Sequence, residues 1–338
     1  MSLEKDPVIS VVLPFRNASG TLERAVFSIL GQSFPDFELI LVDNHSSDSS
    51  SELAAHLKTK DGRIRLMSES KEGVVPATLR GVSASRGKYI CRMDADDEAL
   101  PLKLKQQFDY LEQHDDAGAV GGLVDYVPHS EETGGFERFV EWNNELQSFE
   151  DIYLNRFIEI PVINPTLMWR RETMEKYGLY REGDFPEDYE MVLRWLEAGV
   201  RIGKVAGTVL KWYDSDERLT RTDPHYSENA FYKIKSRYLA RWLEKHNPHH
   251  PTVSVWGASR ISRRRARFLE EEGVETGSYI DTRKNRQIGY ELIYYKDLPS
   301  VGSMFILSYI RQMDNRDRIR EYLTSKGYRE GKDFLMVS

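Results

Sequence analysis

The chain has 338 residues, of which 40% are hydrophobic and 30% are charged, and its formal net charge is -7. This length predicts two domains, or one large domain with an appendage, and the composition excludes a disordered or fibrous protein. Residues 251–338 hold 16 basic and 12 acidic side chains and the rest of the chain is acidic, so neither part has the basic surface of a nucleic-acid-binding protein.

The first predicted unit is a strand followed by a helix. Residues 8–13 form a short apolar run rich in β-branched residues, which is typical of a strand buried on both faces. Apolar residues then recur at helical spacing between Ser19 or Thr21, as the cap, and Gly31, as the stop. The segment therefore predicts one β-α unit.

The alternation of strands and helices continues along the chain. Strands are predicted at 37–43, 63–67 and 88–94, with helices between them that end near Leu57 and span 73–85. This order predicts an α/β fold with a mostly parallel central sheet and helices on both faces. Ligands of such sheets bind beyond the carboxyl ends of the strands.

The pattern changes after a helix at 101–113 and a strand at 117–127. Residues 128–150 are polar and irregular, and we expect a long surface loop that acts as a lid or contacts an acceptor. A helix is predicted at 185–199. Two strands, 200–206 and 208–213, and a long helix over about 225–245 complete this region.

A linker is predicted at 246–251, where two prolines interrupt any regular element. The following segment, 251–338, begins as a strand, a glycine turn and a helix, which predicts a small Rossmann-like α/β domain. Its "GASRIS" turn has Ser259 and Ser262 where a dinucleotide fingerprint has glycines, which weighs against nucleotide binding there. An apolar stripe on the helix before the linker, at 234, 238, 239 and 242, favours packing on its parent domain over an external contact with a membrane or partner.

The sequence shows neither a predicted membrane span nor a predicted signal peptide, and it has one cysteine. No apolar run reaches the roughly 18 to 20 residues of a membrane span, and the first ten residues lack the apolar core of a signal peptide. These features predict a cytoplasmic protein, and a peripheral contact with the inner membrane face is left open. The single cysteine, Cys91, excludes an intrachain disulfide and is expected to be a small buried residue.

An acidic cluster follows the predicted strand at 88–94. The stretch "MDADD" supplies Asp94, Asp96 and Asp97, and like charges this close raise one another's proton affinity unless a cation compensates. Carboxylates at the carboxyl end of an inner strand suit Mg²⁺ or Mn²⁺ that holds a diphosphate. The alternative is that the cluster caps the next helix.

Three segments resemble one enzyme family. The stretches "VSVVLPFRNASGTLERAVFSILGQSFPDFELILVDNHSSDSS", "GVSASRGKYICRMDADDEALPLKLKQQFDYLE" and "NPTLMWRRETMEKYGLYREGDFPEDYEMVLRW" are similar to the opening, the Asp-x-Asp segment and the Glu-Asp region of family 2 glycosyltransferases. They occur in the family's order and cover roughly 8–213. This resemblance implies a glycosyltransferase A fold, with a catalytic domain over 1–246 and the added Rossmann-like domain over 251–338.

The resemblance implies a donor half at about 8–126 and an acceptor half at about 127–246. In the donor half, Asp43 would contact the nucleobase, while Pro14 and Phe15 would shape the nucleoside pocket. Alternatively, Asp43 could cap the following helix, and Phe15 could be a core residue.

The metal and the catalytic residues follow from the same resemblance. Asp94 would face the ribose and the metal, Asp96 would bind Mn²⁺ or Mg²⁺ directly, and Arg80 would lie on the donor side. Asp188 would be the general base, with Glu187 beside it. These two acids could instead only favour the positive end of their helix.

The resemblance predicts an inverting, metal-dependent glycosyltransferase. A sugar would move from a nucleotide-diphosphate donor, with a UDP-sugar favoured, to a hydroxyl of a glycan, lipid-linked or small-molecule acceptor in cell-surface polysaccharide synthesis. A homo-oligomer is left open. The alternatives are a non-catalytic nucleotide-sugar-binding protein on the same scaffold and, less favoured, a nicotinamide-dependent reductase that uses the C-terminal domain.

Overall fold

The computed structural model describes residues 6–129, 134–216, 218–284 and 289–338. The chain divides into two compact units. The first contains the chain up to Ile152, with Pro161–Gly183 and Arg194–Asp223, and the second contains Tyr153–Ile160, Asp184–Leu193 and Pro224–Ser338. None of the described helices is both long enough and apolar enough to cross a membrane.

The first unit is built on an eight-stranded sheet. Its neighbours run in the order β3-β2-β1-β4-β7-β6-β8-β5. The pairs β1/β2, β2/β3, β1/β4 and β6/β8 are parallel, whereas β4/β7, β6/β7 and β5/β8 are antiparallel. The strands are β1 (Ile9–Phe15), β2 (Phe37–Asp43), β3 (Ile64–Ser68), β4 (Tyr89–Arg92), β5 (Glu98–Ala99), β6 (Ala117–Val127), β7 (Met168–Arg170) and β8 (Arg201–Tyr213).

Helices connect these strands, and their apolar residues pack on the sheet. In the first helix, for example, Leu22, Ala25, Val26 and Ile29 are all buried, because their spacing places them on one face. The helices up to the linker are α1 (Leu22–Leu30), α2 (Ser50–Lys58), α3 (Val74–Ala84), α4 (Lys103–Gln113), α5 (Gly134–Glu145), α6 (Phe149–Asn155), α7 (Arg171–Tyr177), α8 (Glu187–Glu197), α9 (Leu219–Thr222) and α10 (Glu228–His246). The predicted mostly parallel α/β fold is confirmed.

Two predictions about the second half of this unit are wrong. The expected loop at 128–150 contains α5 and the start of α6, because Phe136, Phe139 and Val140 form a short helical face that packs on the first core. Residues 130–133 of that expected loop lie outside the described part of the chain. The two expected strands at 200–206 and 208–213 are one strand, β8, which pairs with β6 along its length through shifts in register.

The second unit contains a five-stranded sheet in which all strands are parallel, in the order β11-β10-β9-β12-β13. This is the α/β arrangement predicted for the C-terminal segment. Its strands and helices are β9 (Thr252–Trp256), α11 (Arg260–Glu270), β10 (Glu275–Asp281), β11 (Glu291–Tyr294), β12 (Ile306–Ser308), α12 (Met313–Ser325) and β13 (Phe334–Met336).

Helix α10 packs in the second unit. Its apolar stripe is buried in one core with Val253 and Leu335 of the C-terminal sheet, so the stripe is not an external surface, but its partners are not confined to the predicted catalytic domain. This helix precedes the linker and was predicted as part of the first domain, but its apolar residues belong to the core of the C-terminal sheet. The functional division of the chain at 246–251 remains a prediction. The stripe consists of Ile234, Tyr238, Leu239 and Trp242.

Candidate active site

The carboxyl ends of β1 and β2 bring Phe15 and Asp43 side by side. The two residues are register partners in the parallel pair. Phe15 is 3% exposed and belongs to the first core, and Pro14 before it is also buried. If these residues shape a nucleoside pocket, they do so mainly as its wall, because little of either ring reaches solvent.

Asp43 is half-buried at the turn between β2 and α2. Its Oδ1 accepts a hydrogen bond from the Ser46 amide at 3.2 Å, and its Oδ2 accepts one from the Ser51 hydroxyl. Helix α2 has Ser49 at its N-cap, so Asp43 is not the cap residue. Its carboxylate is instead fixed in the turn by two serines, at the sheet edge where ligands of such folds bind.

Asn44, directly after β2, is buried and connects its own turn to residues 69–73. Its side-chain amide donates to the carbonyl oxygens of Glu69 and Lys71 at 3.2 and 2.8 Å, and its Oδ1 accepts from the Gly73 amide at 2.8 Å. Residues 69–73 lead into α3, so Asn44 fixes the start of that helix relative to β2. Arg80 of α3 is exposed to solvent, and its predicted place on the donor side remains a prediction.

The acidic cluster follows β4. Asp94, Asp96 and Asp97 each offer a carboxylate oxygen, and these oxygens lie within 4.8 Å of one another. Asp97 is fully buried; its Oδ1 accepts from the Tyr213 amide at 3.1 Å, and its Oδ2 has no hydrogen-bond partner among the described residues. A buried carboxylate oxygen without a partner is costly, and a divalent cation would satisfy it. The donor set therefore fits Mg²⁺ or Mn²⁺.

The electrostatics of the cluster support the same interpretation. Burial and the neighbouring Asp94 raise the pKa of Asp96, and burial together with Asp96 and Asp94 raises the pKa of Asp97 well above its ordinary value. Asp94 forms an ion pair with Arg92 at 2.6 Å. The positive charge that the protein places near the cluster therefore does not offset the effects of burial and like charge on Asp96 and Asp97.

The last residue of β8 holds the cluster in place. The Arg24 guanidinium lies 3.7 Å from the centre of the Tyr213 ring and donates to the Asp96 carbonyl at 2.5 Å. The Tyr213 hydroxyl donates to Glu98 Oε2 at 2.9 Å. Asp97 and Glu98 do not cap α4, because that helix begins at Lys103 with Leu102 as its N-cap. The capping alternative for the cluster is therefore wrong.

Glu187 and Asp188 form the first turn of α8, in the second unit. The Tyr226 hydroxyl donates to Glu187 Oε2 at 2.6 Å, and Glu187 is only 8% exposed. Asp188 is half-buried, and its Oδ1 accepts the amide of the next residue, Tyr189, at 2.7 Å. Of the two residues, Asp188 is the more exposed.

The glycine turn of the C-terminal sheet is filled by serine side chains. Gly257 has a φ of 117°, and a Cβ there would lie 2.9 Å from Ser262 Oγ. Ser259 Oγ accepts the Ser262 amide at 3.1 Å, and Asp281 Oδ2 accepts the Ala258 amide at 3.3 Å. Side chains thus occupy the space that glycines leave for a pyrophosphate, which argues against a nicotinamide nucleotide there.

The sequence indicated the three clustered acids but not the groups that hold them. Arg92, Tyr213 and Arg218 all interact with the cluster. Arg92 gave a usable signal, because an arginine within the apolar strand "YICRM" needs a buried partner. The sequence gave no signal for Tyr213 and Arg218, because they lie more than 110 residues after the cluster in the chain.

Comparison with known proteins supports this description. The model of the family described as "Glycosyl transferase family 2" matches residues 10–178, half of the chain. An uncharacterized glycosyltransferase of Haemophilus influenzae is 26% identical over 257 residues, covering 72% of this chain and 76% of that protein. The O-antigen biosynthesis glycosyltransferase WbnJ of Escherichia coli is 27% identical over 252 residues, covering 72% of this chain and 92% of that protein.

Solved structures show the same fold. The crystal structure of S. aureus TarS residues 1–349 in complex with UDP-GlcNAc superposes with a TM-score of 0.55 at 14% sequence identity. The match covers 78% of this chain and 71% of that chain. Because the family model spans both the strand-helix repeat and the acidic cluster, the chain is a member of glycosyl transferase family 2.

Proposed function

We propose that this glycosyltransferase moves a sugar from a nucleotide-diphosphate donor, most simply a UDP-sugar, to an acceptor hydroxyl with inversion at the anomeric carbon. The observation that carries the proposal is the convergence of three carboxylates after β4, one of them with a buried oxygen that lacks a partner among the described residues. TarS, which shares the fold, was crystallised with UDP-GlcNAc, and this supports the donor class.

The donor would bind at the carboxyl ends of the first strands. Asp96 and Asp94, with Asp97 behind them, would hold Mn²⁺ or Mg²⁺. Asp43 would contact the base, beside the wall formed by Pro14 and Phe15, and Arg80 is proposed on the donor side. A divalent ion held there would neutralise negative charge on the departing diphosphate.

Asp188 is proposed as the general base. It would take the proton of the acceptor hydroxyl as that oxygen bonds to the anomeric carbon and the bond to the diphosphate oxygen breaks. One carboxylate suffices, because inversion needs no covalent intermediate. The different surroundings of the two acids support this assignment of roles, since Glu187 is buried and accepts the Tyr226 hydroxyl, whereas Asp188 is half-buried.

The proposed setting is cell-surface polysaccharide synthesis, with a glycan or lipid-linked acceptor. The similarity to WbnJ, whose name places it in O-antigen biosynthesis, supports this setting. A cytoplasmic location with a peripheral contact at the inner membrane face would fit an acceptor carried on a lipid.

Thermal-shift measurements with UDP, GDP, dTDP and CMP sugars, with and without Mn²⁺, would test the donor assignment. We expect one nucleotide class to raise the melting temperature, and to do so more strongly with Mn²⁺, because ligand that binds only the folded state stabilises it. Asp96→Asn should remove the effect of the metal. If no nucleotide shifts the melting temperature in either condition, the donor site is wrongly assigned.

A further inference from the structure

Two tyrosine hydroxyls hold the first two turns of α8, the part of this helix that lies in the second unit. Tyr226 donates to Glu187 Oε2 at 2.6 Å, and Tyr238 of α10 donates to Glu190 Oε1 at 2.6 Å. The two glutamates are three residues apart, so they lie on one face of the helix. Hydrogen bonds to carboxylates are strong ones, and the turn that carries Asp188 is therefore restrained on this face.

Tyr189, the residue after Asp188, anchors the same turn in a hydrophobic core. It is fully buried, and its hydroxyl donates to the Arg156 carbonyl at 2.6 Å. The centre of its ring lies 5.6 Å from that of Phe231, on α10. Tyr189 and Leu335 of the C-terminal strand β13 belong to one core. The backbone next to Asp188 is thus packed in the core of the C-terminal sheet.

Helix α10 is bound to the end of β13 by polar contacts as well. Lys235 Nζ donates to the Val337 carbonyl at 2.9 Å, and the hydroxyls of Tyr232 and Ser338 are hydrogen-bonded at 2.6 Å. All four residues are buried, and buried polar groups are costly to separate from their partners. Helix α10 therefore connects the C-terminal sheet to α8.

We propose that the C-terminal sheet, through α10, positions Asp188 for sugar transfer, so that the added domain contributes to turnover. This inference rests on the proposed function, in which Asp188 is the general base. A general base has to stay within hydrogen-bond reach of the proton that it removes, and a displacement of about 1 Å costs on the order of 10²-fold in rate. Tyr238 is then a positioning residue that acts through Glu190.

The variant Tyr238→Phe removes the hydroxyl that Glu190 accepts and keeps the ring. We expect kcat to fall about five- to fiftyfold, because the turn that carries Asp188 loses a restraint. The affinity for UDP in the presence of Mn²⁺ should stay within about twofold of the wild-type value. Tyr328→Phe is the matched control, because it also removes a buried hydroxyl, which donates to the Pro299 carbonyl at 2.7 Å within the C-terminal segment. The control should leave both quantities within about twofold.

A second pair of variants tests the contribution of the C-terminal sheet itself. Leu335 and Met336 are neighbours on β13 and both are fully buried, but successive side chains of a strand lie on opposite faces of the sheet. Leu335 shares a core with Tyr189. Leu335→Ala and Met336→Ala each leave a cavity and should both lower the melting temperature. Only Leu335→Ala should also lower kcat, by at least about fivefold.

Turnover is measured as the release of UDP from the UDP-sugar that raises the melting temperature most, with water as the acceptor, because the base acts on water as it does on a hydroxyl. Calorimetric titration with UDP in the presence of Mn²⁺ gives the affinity of the donor site. Both measurements use the full chain, at a temperature where melting curves show every variant to be folded.

The outcomes separate this inference from the proposed function. If Asp188→Asn abolishes release while Tyr238→Phe and Leu335→Ala are as active as their controls, the positioning role alone is overturned. Losses of kcat that follow the fall in melting temperature in all four variants would also overturn it, because they would reflect stability only. A wild type that releases no UDP, or an Asp188→Asn variant that releases it at the wild-type rate, would contradict the proposed function and this inference with it.

Discussion

Asp188 and Glu187 are adjacent acids whose surroundings differ. Glu187 is buried and accepts the Tyr226 hydroxyl, whereas Asp188 is half-buried at the same helix start. The sequence placed both residues in the right element, because Pro186 and the acidic pair mark a helix start. It did not separate their roles, since the tyrosine that restrains Glu187 lies 39 residues later.

Replacing each acid separately would test these roles. Asp188→Asn should lower kcat by about 10²- to 10⁴-fold, because the acceptor proton loses its base, and should leave UDP affinity within about twofold. Glu187→Gln keeps a group that accepts the Tyr226 hydroxyl, so we expect a much smaller loss of kcat. Steady-state kinetics and UDP titration of both variants provide the check, and equal losses of kcat in the two would contradict Asp188 as the base.

At the scale of elements, sequence periodicity identified the elements from β1 to β4 and helix α4, because each apolar run or stripe is long and clear. It did not identify β5, because a strand of two residues has no periodicity. Periodicity did not identify α5, because the few apolar residues in this polar stretch of 23 residues give too weak a helical pattern. Helix α5 is held partly by a buried polar contact. Lys204 of β8, 4% exposed, donates to Asn143 Oδ1 at 2.7 Å and to the Asn143 carbonyl.

Lys204 should make stability depend on pH. Burial lowers its pKa to about 7, whereas an unfolded lysine titrates near about 10.4. The unfolded chain therefore binds more protons between these values, so the free energy of unfolding should rise with pH from about 7 to about 10. Below pH 7 the full penalty, on the order of 5 kcal/mol, is present.

Lys204→Met should flatten this dependence, because methionine fills the site without a charge. Urea unfolding from pH 6.5 to 9.5 would measure the difference between variant and wild type, which also cancels any contribution from Lys235, whose pKa burial lowers to about 7 as well. Lys105→Met is the control, because Lys105 is exposed on α4. A variant whose stability changes with pH as steeply as the wild type would contradict this account of Lys204.

At the scale of the whole molecule, the class of fold and the family followed from the order of the elements and three segments of sequence. The sequence predicted less well which residues pack together. Helix α10 precedes the linker but shares a core with the C-terminal sheet, because packing depends on faces that meet in space and not on position along the chain. The burial of Asp97 depends in the same way on β8, a strand that is remote in sequence.

The central claim is that the acids after β4 form a metal-dependent site for a nucleotide diphosphate. Its most direct test is the affinity of the full chain for UDP, measured by calorimetry with Mn²⁺ and with EDTA, for the wild type and for Asp96→Asn. We predict that chelation and the substitution each weaken UDP binding by at least about tenfold. UDP affinity that is the same in all of these conditions would contradict the claim.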